Sequence, residues 1–317
     1  KMKLSKVRNY IESRLIGQKS LIDNMLICLI AGGHMLIEGM PGLAKTRAAR
    51  SLADSIHSDF KRIQFTPDLL PSDLTGSDVY VREKNEFEFK KGPLFNNIIL
   101  ADEINRAPAK VQSALLEAMG EGQITVGLNT LALPELFMVI ATQNPVEQEG
   151  TYNLPEAQLD RFMMKVKVDY PHAEEELEIL RLETGKTKKD KSIKEQPVTN
   201  EDEILEARKK ASEIYMDEKI ERYIVSIVCS TRTPENYSVE LADLIRYGAS
   251  PRASINLAKA AKAIALLDDS EFVAPHHVQQ VAYEILRHRI IPSFEAEADN
   301  ITSDDIINQI LQVVAVS

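Results

Sequence analysis

The stretch Gly39-Met40-Pro41-Gly42-Leu43-Ala44-Lys45-Thr46 decides the fold, because it lies between an apolar segment and an amphipathic run. In the run that follows it, apolar residues recur four apart at Ala48, Leu52 and Ile56. This order predicts a strand, a glycine loop and a helix. Such a loop directs backbone N–H groups and a helix N-terminus toward one point, where polyphosphate charge is stabilised. The stretch therefore predicts a nucleoside triphosphate site.

Two side chains at the end of this stretch have separate roles in the hypothesis. Lys45 would contact the β and γ phosphates, and Thr46 would hold Mg²⁺. One position departs from the usual phosphate-loop pattern, since Ala44 stands where glycine is expected before the lysine. We therefore predict that residue 44 has room for a Cβ atom and a negative φ. The alternative is a strand-to-helix turn that uses glycine for its geometry alone.

Length and composition favour two domains and an intracellular setting. The chain has 317 residues, of which 44% are hydrophobic, and this is enough for one large core or two modest ones. Its formal net charge of −10 argues against a generally nucleic-acid-binding surface. Cys28 and Cys229 are its two cysteines, and both lie in apolar helical patterns. We therefore expect neither a disulfide framework nor a cysteine zinc site, which suits a reducing cytoplasm.

Neither a membrane helix nor a histidine metal site is predicted. No run approaches the roughly 18 to 20 uninterrupted apolar residues that a membrane helix needs, and the first residues contain no apolar signal-peptide region. The histidines are scattered along the chain, and we expect the adjacent His276 and His277 to point apart on a helix. A cytoplasmic protein without membrane insertion is therefore the expectation.

Short apolar runs alternate with helical patterns through the first half of the chain. Residues 98–101 and 136–141 are fully apolar and too short for helices, so we predict strands that are covered on both faces. Two hairpins, at residues 79–89 and 124–133, are predicted as insertions between core elements. The alternation predicts an α/β fold, with a mostly parallel sheet between two layers of helices.

The second half of the chain has a different pattern. Only helices are predicted after residue 170, apart from a lysine-rich surface loop at about 184–196. We therefore divide the chain into an αβα nucleotide-binding core, residues 1–170, and an all-α domain, residues 171–317.

Polar side chains follow two of the apolar strands. Asp102 and Glu103 end one of them, at the edge where open α/β sheets bind their ligands. There, Asp102 would hold Mg²⁺, and Glu103 would orient or deprotonate the attacking water. Asn144 ends the neighbouring strand, where its amide would hold that water in line. The alternatives are carboxylates that favour the N-terminus of the next helix, and a turn residue before Pro145.

Two arginines complete the set of candidate site residues. Arg161 stands at the end of a predicted short helix, and its position suits either a helix cap or a catalytic finger. Ser250-Pro251 predicts the N-cap and first residue of a helix, so Arg252 falls in the first turn, where the helix dipole disfavours a cation. An arginine in that position should meet an anion, and a γ phosphate would serve. A surface salt bridge is the alternative.

Taken together, these motifs resemble the ordered signatures of an AAA+ ATPase, and within that class they resemble the MoxR family. Ala44 is usual in MoxR proteins, and the resemblance extends over nearly the whole chain. The segments that carry it, besides the phosphate loop, are residues 92–95, 98–103, 141–145, 150–162, 248–253 and 286–289.

The resemblance implies an AAA+ αβα sandwich followed by a helical lid, and it implies a role for each motif. The first hairpin is similar to a helix-2 insert, and the second is similar to a pre-sensor-1 hairpin. By resemblance, the Walker A motif consists of Gly39, Met40, Pro41, Gly42, Leu43, Ala44, Lys45 and Thr46. The Walker B motif consists of Asp102 and Glu103, sensor 1 is Asn144 and sensor 2 is Arg252. Arg161 is the finger that reaches a neighbouring subunit, and the segment over adenine consists of Ile16, Gly17 and Gln18.

The same resemblance implies hydrolysis of ATP with Mg²⁺ at the subunit interfaces of a ring, expected to be a hexamer. Hydrolysis would move the lid and remodel a partner protein, and partners of MoxR proteins commonly contain a von Willebrand factor A domain. One alternative is an ATP-controlled binding module with negligible turnover. A second is a DNA-acting AAA+ protein, which the acidic composition disfavours.

Overall fold

A computed structural model describes residues 2–39, 43–144, 150–185 and 196–316 of the chain. Met40, Pro41 and Gly42 of the phosphate loop and most of the predicted lysine-rich loop lie outside the described residues. The helices are α1 (Met2–Arg14), α2 (Lys19–Ala31), α3 (Leu43–Ser55), α4 (Pro71–Thr75), α5 (Ala109–Glu121), α6 (Glu156–Leu159), α7 (Ala173–Glu183), α8 (Glu201–Ser212), α9 (Glu218–Arg232), α10 (Val239–Leu244), α11 (Pro251–Leu267), α12 (Pro275–Leu286), α13 (Phe294–Ala298) and α14 (Ser303–Val313).

Five parallel strands form the central sheet, in the order β2, β5, β8, β1, β9. Since all five run in one direction, their carboxyl ends meet at a single edge. The strands of the structure are β1 (Met35–Gly39), β2 (Phe60–Gln64), β3 (Gly76–Val81), β4 (Glu86–Lys91), β5 (Ile98–Asp102), β6 (Gln123–Val126), β7 (Asn129–Ala132), β8 (Met138–Gln143), β9 (Met164–Val168), β10 (Ile245–Tyr247) and β11 (Ile291–Pro292).

Alternate residues of the central strands belong to different hydrophobic cores. In β5, Ile98 and Leu100 pack into the core that contains α3, whereas Ile99 and Ala101 pack into the core that contains α5. Side chains alternate across a strand, so a strand buried on both faces is apolar throughout. The predicted αβα sandwich with a mostly parallel sheet is confirmed.

Two antiparallel hairpins project from the sandwich. Strands β3 and β4 pair from Gly76 with Lys91 to Val81 with Glu86, and β6 pairs with β7 over four positions. Both hairpins carry exposed apolar side chains, Phe87 on β4 and Leu128 at the turn between β6 and β7. Apolar residues therefore face solvent at two places away from the central sheet.

After β9 the chain is helical, and its larger helices pack directly on the core. Leu257 of α11 and Val278 of α12 belong to the same hydrophobic cluster as Ile22 of α2 and Leu52 of α3. The helical lid is confirmed, with one addition, since β10 and β11 form a short antiparallel pair where only helices were predicted. Strands of two or three residues are too short to produce a recognisable sequence period.

Two predictions about composition can be compared with the structure. No helix among the described residues is long and apolar enough to cross a membrane. Cys28 and Cys229 are both free, and burial raises the pKa of the Cys28 thiol to about 12. Cys28 is therefore a protonated, apolar member of the core rather than a reactive thiol.

Candidate functional site

A cavity of about 640 Å³ opens at the carboxyl edge of the sheet, between the start of α3 and the ends of β5 and β8. It brings together residues that are up to 105 positions apart in the chain, and six of the predicted site residues are among them. The residues that line it are Gly39, Lys45, Thr46, Arg50, Arg62, Asp102, Glu103, Thr142, Gln143 and Asn144.

Lys45 is the buried cation of this cavity. Its ammonium donates to the carbonyl oxygen of Gly39 at 3.0 Å, and only 7% of the residue is exposed. Burial lowers the pKa of the Lys45 ammonium, while the nearby carboxylates of Asp102 and Glu103 oppose that shift. A desolvated ammonium beside two carboxylates suits a ligand that carries both an anionic group, for the ammonium, and a bound cation, for the carboxylates.

Thr142 connects the two carboxylate residues. Its hydroxyl donates to Asp102 Oδ1 at 2.6 Å and accepts a hydrogen bond from the backbone N–H of Glu103 at 2.8 Å. Thr142 is buried on β8, the strand beside β5. This side chain therefore fixes both the Asp102 carboxylate and the path of the chain into Glu103.

The backbone of Glu103 has an uncommon conformation. Its φ of 56° and ψ of 58° are left-handed, a region that residues with a Cβ atom seldom occupy. The side-chain carboxylate lies 3.5 Å from the Arg106 guanidinium. Backbone strain of this kind is concentrated at functional sites, where it aims a side chain.

Arg62 also reaches Asp102. Its Nη2 and Nε lie 2.6 Å and 3.2 Å from Asp102 Oδ2, and Nη2 donates to Gln64 Oε1 at 2.8 Å. Arg50 lies at the same cavity, with its guanidinium 5.0 Å from the centre of the Phe60 ring. Sequence reasoning missed both arginines, because nothing local in β2 or α3 indicates which strand lies beside β5.

The unusual alanine of the phosphate loop is accommodated by the start of α3. Ala44 is half-buried and packs against the core that contains α3. As predicted, it is not one of the described residues whose φ is positive. Gly39 has no such room, because a Cβ atom there would overlap the carbonyl oxygen of Val168 on β9. The first glycine is therefore required by close packing of two strands, whereas position 44 is not.

Arg161 does not line the cavity. Its Nη1 donates to the carbonyl oxygen of Leu116, in the second half of α5, at 2.8 Å, and the residue is exposed. Among the hydrogen bonds of the described residues, none joins Arg161 to Lys45 or Asp102.

Arg252 also lies outside the cavity lining, in a network centred on Asp160. Its Nη1 lies 3.6 Å from Asp160 Oδ2, to which Ser250 also donates at 3.1 Å. Arg289 contacts Asp160 Oδ1 at 2.6 Å and donates to the carbonyl oxygens of Phe162 and Met163. The predicted anion for Arg252 is therefore a protein carboxylate here, and Arg289 is a buried connection between lid and core.

The segment predicted to lie over adenine is also outside the cavity lining. Ile16 and Gly17 are half-buried in the connection between α1 and α2, and Gly17 has a φ of 70°. The carboxylate of Glu175, on α7, lies against Gly17 where a Cβ atom would stand. The left-handed conformation therefore favours glycine at position 17, whereas the Glu175 side chain has room to move away from a Cβ atom.

A second cluster of ionisable groups lies in the lid. The rings of His276 and His277 are 4.1 Å apart, so the prediction that they point apart is wrong. The backbone N–H of Ala274 donates to His277 Nδ1, which leaves the proton on Nε2, 3.5 Å from Asp268. A protonated Nε2 cannot ligate a metal ion, so this geometry is that of a helix cap.

Two family profiles match separate parts of the chain. The profile of the "ATPase family associated with various cellular activities (AAA)" matches residues 34–164, and that of the "AAA lid domain" matches residues 241–310. The first match contains the cavity from β1 to β8, and the second contains Arg252 and Arg289.

Individual relatives match over nearly the whole chain. The chaperone MoxR1 of Mycobacterium tuberculosis is 42% identical, over 95% of this chain and 79% of its own length. The uncharacterised protein YeaC of Bacillus subtilis is 45% identical, over 99% of this chain and 94% of its own length. A crystal structure of a proposed ATPase from Cytophaga hutchinsonii is 48% identical, with a TM-score of 0.93 over 99% of this chain and 95% of that one.

Proposed function

Because the chain belongs to the MoxR family of AAA+ ATPases, we propose that it binds ATP and Mg²⁺ at the cavity and hydrolyses ATP to ADP and phosphate. The observation that carries this proposal is the convergence of Lys45, Asp102 and Glu103 on one cavity beside the N-terminus of α3. A buried ammonium and a helix N-terminus attract phosphate, and two carboxylates beside them attract a divalent cation.

Phosphate binding is assigned to the loop from Gly39 to Thr46. The N-terminus of α3 contributes partial positive charge, and the Lys45 ammonium would exchange the Gly39 carbonyl for β and γ phosphate oxygens. Ile16 and Gly17 would line the adenine side of the nucleotide, as the family resemblance implies.

The donor atoms at the cavity fit Mg²⁺. The Thr46 hydroxyl and the Asp102 carboxylate are hard oxygen donors, and Mg²⁺ prefers such ligands together with phosphate oxygens. When bound, Mg²⁺ supplies positive charge that neutralises the β and γ phosphate oxygens.

The attacking water is assigned to Glu103 and Asn144. Glu103 would orient or deprotonate the water, and the Asn144 amide would hold it in line with the γ phosphate. Thr142 supports this assignment, because its hydrogen bond to the Glu103 backbone keeps the left-handed turn that aims the carboxylate.

The site is completed by a second subunit in this proposal. Arg161, held on the outer surface beside Leu116, would contact the γ phosphate of a neighbouring protomer in a hexameric ring. Inserted arginines accelerate phosphoryl transfer by about 10³ to 10⁵. Arg252 would exchange Asp160 for the γ phosphate of its own subunit and so report nucleotide state to the lid.

The energy of hydrolysis is proposed to remodel a partner protein. A relative of this chain is named a chaperone, and the family resemblance implies a partner with a von Willebrand factor A domain in the cytoplasm. The exposed Phe87 and Leu128 on the two hairpins supply apolar contact surface for such a partner. We place the boundary between core and lid at residues 170 and 171.

The test separates binding from turnover. Glu103→Gln should bind ATP with the parent's affinity in calorimetry, yet release phosphate about 100-fold more slowly or worse, because a water-orienting carboxylate is lost. Glu221→Gln removes the same charge from an exposed position on α9 and should match the parent in both measurements. Negligible turnover by the parent, with tight ATP binding, would instead support the binding module.

A further inference from the structure

Arg62 is a cavity residue to which the proposed mechanism gives no role. Its guanidinium engages Asp102 Oδ2 through two nitrogens, at 2.6 Å and 3.2 Å, while Gln64 accepts from the same Nη2. Three acceptor contacts fix the direction of this fork, so the side chain is aimed along the wall of the cavity at a single carboxylate oxygen.

The other Asp102 oxygen is also engaged. Oδ1 accepts the hydroxyl proton of Thr142 at 2.6 Å, which leaves Oδ2 as the oxygen that faces a cation. A guanidinium and a metal ion cannot occupy the same side of one oxygen. We propose that Arg62 competes with Mg²⁺ for Asp102 Oδ2, so that loading of the metal must displace Arg62. This inference rests on the proposed function, since it takes Asp102 as the metal-binding carboxylate.

The ion pair has the properties of a replaceable partner. The Arg62 side chain is 45% exposed and that of Asp102 is 20% exposed. Ion pairs at such exposure shift an equilibrium by only about 1.5- to 5-fold. A doubly charged ion that prefers carboxylate oxygen can therefore replace the guanidinium, whereas a deeply buried pair would resist it.

The pair is not needed to align the two strands. Strands β2 and β5 are already joined by a parallel ladder of five paired positions, from Phe60 with Ile98 to Gln64 with Asp102. Ile63 also anchors β2 in the core. Because backbone and core fix the register, Arg62 is free to change partner without unpairing β2.

The competition can be measured without nucleotide or turnover. The probe is Mn²⁺, a paramagnetic divalent ion that takes oxygen ligands as Mg²⁺ does, titrated into the protein and followed by electron paramagnetic resonance. Arg62→Gln should lower the half-saturating Mn²⁺ concentration by about 2- to 5-fold, since the competing guanidinium is gone. Arg62→Lys keeps the positive charge but not the bidentate guanidinium. Its half-saturating Mn²⁺ concentration should therefore lie between those of Arg62→Gln and the parent.

Two comparisons separate competition from general charge effects. Arg50 lies at the same cavity but contacts Phe60 rather than Asp102. Arg50→Gln should therefore change the half-saturating Mn²⁺ concentration less than Arg62→Gln does. In an Asp102→Asn background, Arg62→Gln should have no effect. Thermal melting of each variant checks that it is folded.

The outcomes are decisive in both directions. Unchanged or weaker Mn²⁺ binding in folded Arg62→Gln would overturn the inference, as would an effect that persists in the Asp102→Asn background. Either result would leave the ATPase proposal intact, because that proposal is judged by ATP binding and phosphate release. Failure of the parent to bind ATP would overturn the proposed function instead.

Discussion

The cavity at the sheet edge and the two arginines outside it are held in different ways. Lys45, Asp102 and Glu103 stand at the ends of strands or the start of a helix, and they converge within one chain. Arg161 and Arg252 lie outside the lining of that cavity, where each is held by a protein acceptor, the Leu116 carbonyl and the Asp160 carboxylate respectively. Lys45 and Asp102 therefore need only exchange local contacts at the cavity itself, with the Gly39 carbonyl and Arg62, whereas each arginine must leave a partner outside the cavity before it can meet a nucleotide.

This difference suggests a division of labour. Groups that bind ATP gain from rigid placement, because little conformational entropy is lost on binding. Groups that respond to ATP gain from having a second partner, because a switch needs two arrangements of similar free energy. Mutations in the two regions should consequently differ in whether they alter affinity, turnover or lid position.

The largest effect is expected for Arg161→Ala. Turnover of the assembled protein should fall by about 10³ or more, with little change in ATP affinity, because the finger stabilises only the transition state. Phosphate release and calorimetry measure the two quantities. Arg222→Ala, in an exposed ion pair on α9, is the matched control.

A mixing experiment decides whether Arg161 acts between subunits. Inactive Arg161→Ala protein combined with inactive Lys45→Ala protein should regain part of the activity, since some interfaces then pair an intact cavity with an intact finger. Absence of recovery in rings that demonstrably contain both variants would contradict a finger in trans.

Lys45→Ala should affect binding rather than turnover alone. Loss of a charged hydrogen-bond donor to phosphate should lower ATP affinity by about 100-fold or more. Calorimetry measures the affinity, and a thermal melt shows whether the variant is folded. Unchanged affinity would rule out the phosphate-loop assignment and, with it, the contrast between the two regions.

Thr142→Val tests whether the cavity depends on its internal hydrogen bonds. The substitution keeps the shape but leaves the Glu103 N–H without its acceptor and Asp102 Oδ1 without its donor. We expect turnover to fall about 10-fold at nearly constant ATP affinity. Thr142→Ser retains the hydroxyl and should turn over ATP at the parent's rate. Equal rates for Thr142→Val and the parent would show that the Thr142 hydroxyl has no role in turnover.

The smallest effect is expected for Arg252→Ala. ATP affinity should change only a few-fold, because the half-exposed side chain already has a partner in Asp160. The difference between small-angle scattering profiles with and without nucleotide should shrink, since the lid no longer senses the γ phosphate. Arg246→Ala, a lid arginine stacked on Tyr247 and Phe294, is the control. Equal nucleotide-dependent changes in variant and parent would contradict the sensor role.

Sequence alone predicted the parts of this molecule that depend on local pattern. The apolar run 98–101 predicted a strand because both faces of β5 are buried, and the apolar period of Ala48, Leu52 and Ile56 predicted α3. Asp102, Glu103 and Asn144 could be grouped because parallel strands bring their carboxyl ends to one edge. That inference needs strand direction but not strand order.

Features that depend on strand order or distant contacts were not predictable. Arg62 and Thr142 reach Asp102 because β2 and β8 flank β5, and no period within either segment encodes that neighbourhood. The Arg289 contacts with Asp160 join residues 129 positions apart. The left-handed Glu103 is likewise invisible in the sequence, since a glutamate gives no sign of positive φ.

The hydrophobic cluster that runs from α2 and α3 into α11 and α12 has a consequence for folding thermodynamics. Helices that share one core stabilise one another, so the free energies of unfolding of the nucleotide-binding half and of the lid are coupled. A cavity-forming substitution at Leu257, far along the chain from the phosphate loop, would therefore lower the population of molecules in which α3 is formed. Heritable variation that impairs ATP binding can thus arise in residues that never approach a phosphate.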